Sequence, residues 1–190
     1  ELPQGAKVGT SSLRRKCQIL KQRPDLNIID LRGNVGTRLS KLDAGLYDAI
    51  ILASAGLKRL GLNGRIRHTL DATLSLPAVG QGALGLECRE TDQAVLDLIL
   101  PLLHVESDLC VRAERAFNAY LEGGCQVPIA GYATLHQDQI QIEGRVGSFD
   151  GATLLKVKLS GPAEDAQQLG ITLAQKLLEQ GAGDLLKSFY

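Results

Sequence analysis

The sequence contains no Met and no Trp, and only four Tyr and three Phe among 190 residues. So few aromatic side chains give little support to the recognition of single-stranded nucleic acid, which depends on stacking bases against aromatic rings. No apolar run reaches the length that crosses a bilayer, and the N-terminus lacks the basic and apolar regions of a signal peptide. We therefore expect a cytoplasmic protein that contacts neither nucleic acid nor membrane.

The absence of Met also bears on the start of the chain. Translation begins at Met, so Glu1 must follow cleavage or the loss of preceding sequence, and a strand-like segment already begins after six residues. We expect the chain to be a fragment of a longer protein.

Cysteine is scarce too, with four residues, no C-x-x-C pair and no His at zinc-ligand spacing. A disulfide framework is not expected at this density, and no metal site is predicted. Cys17, Cys88 and Cys110 have apolar neighbours on segments that favour helix or strand, so we expect them to be core residues.

Cys125 differs because it follows two glycines in the loop-like stretch L-E-G-G-C-Q-V-P (121–128). A thiol presented on a loop is open to oxidation unless the protein uses it, as a nucleophile, a redox sensor or a covalent attachment point. His68, His104 and His136 lie in dissimilar settings that suggest surface or capping roles, which argues against a Cys–His hydrolase.

The net charge of zero hides an asymmetry. Residues 1–70 contain 13 Lys and Arg against 5 Asp and Glu, whereas residues 71–190 contain 8 against 16. A basic first part suggests contact with an anion, although a basic face that is simply solvated is an equal alternative at this point.

The first 70 residues alternate between strand and helix signals. The pattern predicts strands at 7–10, 27–31 and 48–53, and helices at 11–22, 37–44 and 54–60. Such alternation is typical of βαβ units with a parallel sheet.

Residues 75–89 break this pattern with Pro77 and three glycines, which suggest a hinge or crossing segment before a predicted strand at 83–88. The spacing of Gly80, Gly82 and Gly85 matches a dinucleotide fingerprint, but that motif requires a strand before it and a helix after it. We therefore assign no nucleotide site here. Helices are predicted at 92–103 and 106–121.

The last third predicts a separate α+β unit. Apolar residues alternate with period two over 129–135, 140–146 and 155–159, with an Asp150-Gly151 hairpin turn between the second and third strands. A helix is predicted to begin at Gly161-Pro162 and to cover one face of the sheet.

Two predicted strand-to-helix junctions are candidate anion sites, G-T-S-S-L-R-R (9–15) and L-R-G-N-V-G-T-R-L (31–39). Helix N-termini attract anions, and in open α/β sheets ligands bind beyond the carboxyl ends of the strands. Five arginines fall near those ends, and guanidinium groups bind carboxylates bidentately. Any one of them taken alone is more often a surface residue. They are Arg14, Arg15, Arg32, Arg38 and Arg59.

Together these motifs resemble the porphobilinogen deaminases (hydroxymethylbilane synthases). The resemblance extends from about residue 2 to the C-terminus and also includes Y-D-A-I-I-L-A-x-A-G-L-x-R-L, L-P-A-V-G-Q-G-A-L-G-L-E-C-R and L-E-G-G-C-Q-V-P-I. It implies a transferase of tetrapyrrole and haem biosynthesis that joins four porphobilinogen units into hydroxymethylbilane and releases ammonia.

The resemblance also implies a dipyrromethane cofactor, joined by a thioether to Cys125. Each pyrrole carries an acetate and a propionate, so the growing chain is strongly anionic. By match to the family's motifs, the five arginines bind the carboxylates of cofactor and substrate. Further hydrogen bonds are expected from Thr10, Ser11, Ser12 and Gly33.

The family's proteins have three domains, and most of the first, including the catalytic aspartate, corresponds to sequence before Glu1. We therefore expect a truncated parallel-sheet domain of periplasmic-binding-protein type (1–76), a hinge and returning segment (77–104), and a C-terminal α+β domain that attaches the cofactor (105–190). No catalytic residue is assigned in this chain. We expect the fragment alone to be inactive, and the full-length protein to be a monomer.

Two other classes of function remain open. A non-catalytic anion-binding module of periplasmic-binding-protein type explains the arginines but gives Cys125 no role. A nucleic-acid-binding domain could use the basic segment, although the near-neutral pI of about 7.1 and the few aromatics count against it.

Overall fold

The computed structural model describes residues 2–124, 126–187 and 189. The strands, in chain order, are β1 (Lys7–Gly9), β2 (Asn27–Ile29), β3 (Ala49–Ile50), β4 (Ile129–His136), β5 (Gln139–Gly147) and β6 (Leu154–Pro162). The α-helices are α1 (Leu13–Gln22), α2 (Val35–Asp43), α3 (Ser54–Arg59), α4 (Gln93–Ile99), α5 (Val105–Tyr120), α6 (Ala166–Glu179) and α7 (Ala182–Lys187).

Strands β1 to β3 form a parallel sheet in the order β2-β1-β3. Val8 pairs with Ile28 on one side and with Ala49 on the other. The parallel sheet expected from the alternating pattern is therefore confirmed. β3 is shorter than predicted, but the Asp48 and Ile51 N–H groups extend its ladder by donating to Lys7 O at 2.9 Å and Gly9 O at 3.1 Å.

Helix α1 begins where the sequence favours it. Ser12 is its N-cap, and the side-chain oxygen accepts a hydrogen bond from the Arg15 N–H. The helix ends before Pro24, because the ring of proline disfavours helical backbone at the preceding residue. Cys17 and Gln18 are each only 1% exposed and face the second half of the molecule.

Strands β4 to β6 form an antiparallel sheet in that order, with Ile142 opposite Ala133 and Leu159. Helices α5 and α6 cover one face and enclose the main core. Phe117 is fully buried there against two glycines, since a Cβ at Gly131 or Gly144 would lie within 2.9 Å of its ring. The predicted antiparallel unit covered by helices is thus confirmed.

The hairpin between β5 and β6 turns at Asp150-Gly151 as predicted. The Asp150 carboxylate accepts from the Ser148 hydroxyl at 2.6 Å and from the Ala152 N–H at 3.0 Å, and Gly151 adopts φ of +75°. A left-handed backbone at this position favours glycine, which explains the strength of the turn signal.

The helix predicted to begin at Gly161-Pro162 begins slightly later, because Pro162 is the N-cap of a short 3₁₀ turn over Ala163–Asp165 that leads into α6. Both residues belong to β6, where Gly161 pairs with Ile140 and Pro162 with Gln139, and α6 begins only at Ala166. Proline is tolerated at this position because β6 lies at the edge of the sheet.

The predicted strand at 83–88 is wrong. These residues lie in no strand, and Leu84 and Leu86 are 79% and 60% exposed. An extended segment is stabilised as a strand only when a neighbour pairs with its backbone, and none of the described strands does so. Cys88, expected in the core, is half-buried in this segment, whereas Cys17 and Cys110 are buried as expected.

Two further predictions concern the helices around α5. The predicted 92–103 helix ends earlier, at Ile99, and a tight turn over Leu100–Leu102 follows at Pro101. His104 caps α5 by accepting from the Ser107 N–H, which confirms a capping role for one histidine.

Within the described residues, no helix combines the length and apolar character that crossing a membrane requires.

Candidate functional site

The loops that follow β1, β2 and β3 lie together at the carboxyl edge of the parallel sheet. Hydrogen bonds hold the first two loops close, with the Thr10 N–H donating to Ile29 O at 3.0 Å. All five arginines of interest follow one of these strands in the chain. Arg14, Arg15 and Arg38 lie in the first turns of α1 and α2, whereas Arg59 is the last residue of α3.

The hydroxyl residues after β1 shape the loop that leads into α1. Thr10 is buried, and its Oγ1 accepts from the Ser12 N–H at 3.2 Å, while Ser11 Oγ accepts from the Leu31 N–H at 3.0 Å. Ser12 caps the helix. Within the described part of the chain, the N–H groups of Leu13 and Arg14 have no acceptor, as is usual in the first turn of a helix. Two backbone donors therefore remain available for an anion.

The loop after β2 depends on Gly33. Its φ of +120° is a conformation that favours glycine, and a Cβ there would stand 2.9 Å from Thr37 Cγ2. The Gly33 carbonyl accepts from Arg38 Nε at 2.7 Å. Asn34 caps α2 by accepting from the Thr37 N–H at 2.8 Å. The glycine thus sets the position of the Arg38 side chain.

Arg15 and Arg38 lie close enough to repel each other. Arg15 Nη1 donates to Ile51 O at 2.9 Å, which ties α1 to the loop after β3. Burial lowers the pKa of Arg15, and the neighbouring charge of Arg38 lowers it further. Two cations held side by side by backbone carbonyls form a natural receptor for an anion with several negative charges.

Arg14 is the most buried of the five arginines, at 9% exposure. Its Nη1 donates to Leu76 O at 2.6 Å. Burial, followed by the repulsion of Arg15, lowers the pKa of Arg14 to about 10, so the guanidinium stays charged at neutral pH.

Arg32 and Arg59 lie apart from Arg14, Arg15 and Arg38. The Arg32 side chain is 83% exposed and lies 3.7 Å from the Asp30 carboxylate. Arg59 is exposed too, and its Nη2 donates to Gly82 O at 3.5 Å. Arg14, Arg15 and Arg38 interact with one another in a series, and we call these three residues the arginine cluster.

No carboxylate among the described residues forms an ion pair with any member of the arginine cluster. A charge as deeply placed as that of Arg14 is normally paired, because burial removes the stabilising effect of water. The cluster therefore carries positive charge that the described chain does not neutralise. It can bind the carboxylates of a polyanionic ligand.

Sequence reasoning missed the groups that hold these arginines. The carbonyls of Leu76 and Ile51 bind Arg14 and Arg15, and Gln18 and Arg145 lie behind Leu76. Backbone carbonyls carry no residue-specific signal. Arg145 is separated from α1 by more than 120 residues, and a single arginine in a strand is ordinarily a surface residue.

Two other motifs singled out in the sequence are the loop with Cys125 and the glycine motif that begins at Gly80. Cys125 lies outside the described residues. Gly80 and Gly82 adopt positive φ in a turn, and the structure has neither a strand before this motif nor a helix directly after it. The dinucleotide fingerprint therefore lacks its required context, as expected.

The fold and the cluster define a class of protein, namely an α/β protein with a positively charged sheet edge, joined to an α+β unit. Comparison with known families then gives the particular one. Residues 1–97 match the family model described as "Porphobilinogen deaminase, dipyromethane cofactor binding domain", and residues 108–179 match "Porphobilinogen deaminase, C-terminal domain". The chain belongs to the porphobilinogen deaminases, a family of transferases in tetrapyrrole biosynthesis.

Proposed function

We propose that this chain forms the part of a porphobilinogen deaminase that holds the dipyrromethane cofactor and the carboxylates of the growing tetrapyrrole. The overall reaction joins four porphobilinogen molecules and one water into one hydroxymethylbilane, with release of four ammonia molecules. The observation that carries the proposal is the arginine cluster, in which Arg14, Arg15 and Arg38 lack a carboxylate partner within the described residues.

The donor set of this edge fits a dipyrromethane. Each of its two rings carries an acetate and a propionate, so it presents four carboxylates. Facing them would be the guanidinium groups of the cluster and the free N–H groups of Leu13 and Arg14. Charge-assisted hydrogen bonds of this kind are the strongest that a protein forms with carboxylates.

We assign separate tasks to the residues of the edge. Arg15 and Arg38 bind carboxylates directly, since each uses one donor on a backbone carbonyl and keeps others free. Arg14 contributes its charge from a buried position. Thr10, Ser11, Ser12 and Gly33 shape the two loops, and their polar groups complete the site. Exposed Arg32 and Arg59 would contact the later, outer rings of the growing chain.

Cys125 is the proposed attachment point of the cofactor through a thioether. When bound, the dipyrromethane supplies the pyrrole carbon to which the first porphobilinogen is joined. This chain's own contribution is to hold the carboxylates and to keep the rings oriented. The matching family model names a cofactor-binding domain, which supports this assignment at the level of the domain.

We further propose that residues 1–76, 77–104 and 105–190 are three functional segments, the middle one acting as a hinge. In this view the chain works in the cytoplasm, and the full-length protein is a monomer. The isolated chain does not sustain turnover, because no residue here matches the family's catalytic aspartate. Continuous ammonia release from porphobilinogen by the purified chain would contradict that last point.

Calorimetric titration with porphobilinogen tests the arginine cluster. Losing one charge-assisted contact costs about 1.5–3 kcal/mol, so Arg15→Gln and Arg38→Gln should weaken binding by about 10- to 100-fold. Arg115→Gln is the matched control, because it removes the same charge from an exposed arginine on α5 and should bind as the wild type does. Equal affinities for all four chains would refute the proposed site.

Peptide mapping by mass spectrometry tests Cys125 separately. In the full-length protein, two linked pyrrole units should be found on the peptide that contains Cys125 and should be absent from the Cys125→Ala variant. A non-catalytic anion-binding module would behave differently, since porphobilinogen would bind reversibly and Cys125→Ala would change nothing.

A further inference from the structure

A buried polar network connects Arg14 to the antiparallel sheet. It crosses the contact between α1 and β5, where Gln18 and Arg145 are only 1% and 2% exposed. Neither residue belongs to the arginine cluster. Buried polar groups at such a contact are costly unless their hydrogen bonds are satisfied, so the details of the network matter.

Leu76 is the point where the network meets Arg14. Its carbonyl accepts from Arg14 Nη1 at 2.6 Å and from Gln18 Nε2 at 3.2 Å. Its N–H donates to Gln18 Oε1 at 2.9 Å. Gln18 therefore binds both the carbonyl and the N–H of Leu76. It fixes the position of the carbonyl that accepts from the Arg14 guanidinium.

Arg145 fixes Gln18 in turn. Its Nη1 donates to Gln18 Oε1 at 2.9 Å, and its Nη2 donates to Ala72 O at 3.0 Å. The remaining side of the guanidinium meets the Glu143 carboxylate at 2.6 Å, and Glu143 also pairs with Lys158 at 2.8 Å. The planar guanidinium group of Arg145 thus connects α1, the segment before Leu76, and β5.

Only one orientation of the Gln18 side-chain amide satisfies all of its hydrogen bonds. Its oxygen accepts from Leu76 and Arg145, and its nitrogen donates to Leu76 O and to Arg14 O at 3.0 Å. Rotating the amide by 180° would set its NH₂ against two donors. Arg145 supplies one of those donors, so it helps to lock Gln18 and, through Leu76, Arg14.

We propose that Arg145 and Gln18 are positioning residues, which hold the buried Arg14 guanidinium in the position from which its charge stabilises a bound pyrrole carboxylate. The ligand in this inference rests on the function proposed above. The orientation itself is a property of the free chain and is measurable without ligand. A change in the C-terminal sheet thereby alters carboxylate binding at the parallel sheet.

The first test follows Arg14 directly. In ¹⁵N-labelled chain, the Arg14 Nη1 hydrogens should exchange with solvent faster in Arg145→Met than in the wild type, because Nη1 is the atom that donates to Leu76 O. Lys158→Met is the matched control, since it removes one positive charge from the other side of Glu143 at an exposed position, and it should leave this exchange unchanged. Unchanged Arg14 exchange in folded Arg145→Met would overturn the proposal.

The second test uses porphobilinogen binding by the folded chains. Displacing a binding group slightly is costly, so Arg145→Met and Gln18→Met should each weaken binding by about tenfold. Adding Arg145→Met to Arg14→Gln should cause no further loss, because the positioned group is already gone. Fully additive losses, or a lower unfolding midpoint with unchanged affinity, would show a merely structural role and contradict the proposal.

Arg145→Lys separates geometry from charge. Lysine retains the positive charge but has no planar fork, so it cannot contact Gln18, Ala72 and Glu143 together. We expect Arg145→Lys to behave as Arg145→Met does, and full recovery of binding would contradict positioning by the fork. If instead Arg14→Gln and Arg15→Gln bind porphobilinogen as well as the wild type does, the proposed function fails, while the exchange experiment still decides the positioning role.

Discussion

Gly147 in β5 lies directly against Cys17 in α1, so closely that a Cβ at position 147 would stand 2.6 Å from Cys17 Sγ. Gly151 in the following turn makes a similar approach, with its added Cβ 2.6 Å from Leu20 Cβ. Lys21 Nζ then donates to Ala152 O at 2.8 Å. The β5–β6 hairpin is therefore fitted against the helix that carries Arg14 and Arg15.

Gly147→Ala should destabilise the chain by about 1–3 kcal/mol, because the added methyl group overpacks the contact with Cys17. Urea unfolding followed by circular dichroism measures the change in the free energy of unfolding. Gly64→Ala is the matched control, since no atom lies within 4 Å of a Cβ at that position. Equal destabilisation by both variants would show that the close approach is not responsible.

Phe117→Ala should cost about 3–5 kcal/mol, because it opens a cavity in the core between the antiparallel sheet and α5 and α6. Phe117→Leu fills more of that space and should cost less. Phe149, which is 56% exposed and packs under Lys16 Nζ, is the matched aromatic control. Phe149→Ala should cost about 1 kcal/mol at most, and a larger loss than at Phe117 would contradict the assigned core.

Glu114 should make the stability of the chain depend on pH. Its carboxylate is buried and accepts from the Gly80 N–H at 2.7 Å and the Ala133 N–H at 2.8 Å. Burial raises the pKa of Glu114 above its usual value of 4.5, and the two N–H donors offset part of that effect. Because the pKa of Glu114 is higher in the folded state, protonation of this group adds to the free energy of unfolding. The contribution is complete below pH 4.5 and is lost as the pH rises through the pKa of the folded state.

We therefore expect the free energy of unfolding of the wild type to fall relative to Glu114→Gln as the pH rises above 4.5. Urea unfolding of both chains across this range gives the difference. Glu114→Gln also replaces one acceptor by a donor, which should cost about 1–3 kcal/mol at every pH. A constant difference between the two curves would rule out a raised pKa of Glu114.

Cys17 should react far more slowly than Cys88. Burial raises the pKa of the Cys17 thiol to about 11, and the thiolate is the reactive form. Cys88 is half-buried in a segment without regular structure. Brief treatment with iodoacetamide at about pH 8, followed by peptide mapping, should find the label on Cys88 before Cys17. The two thiols should become similar in urea, and equal labelling of the native chain would contradict the buried position of Cys17.

The local elements could largely be predicted from the sequence, because their signals are local. Ser12 and Asn34 cap their helices, Asp150-Gly151 turns the hairpin, and β1 to β3 alternate with helices that return each strand in the same direction. The motifs also implied the family that the comparison found. Local prediction failed at 83–88 and placed the start of the last long helix too early at Gly161-Pro162, because both outcomes depend on whether another strand pairs with the backbone.

For the arginines, too, some features follow from the local sequence and others depend on long-range contacts. Their residue type and their places after three parallel strands were determined by the sequence, and charge complementarity follows from those facts alone. Only the tertiary structure decided that Arg14 is buried on Leu76, that Arg15 and Arg38 meet, and that Arg32 remains in solvent. Leu76, which accepts from Arg14, lies 62 positions beyond it in the chain, and Arg145, which donates to Gln18, lies 127 positions beyond Gln18. Such contacts are set by how α1 packs on β5, which no local pattern of residues encodes.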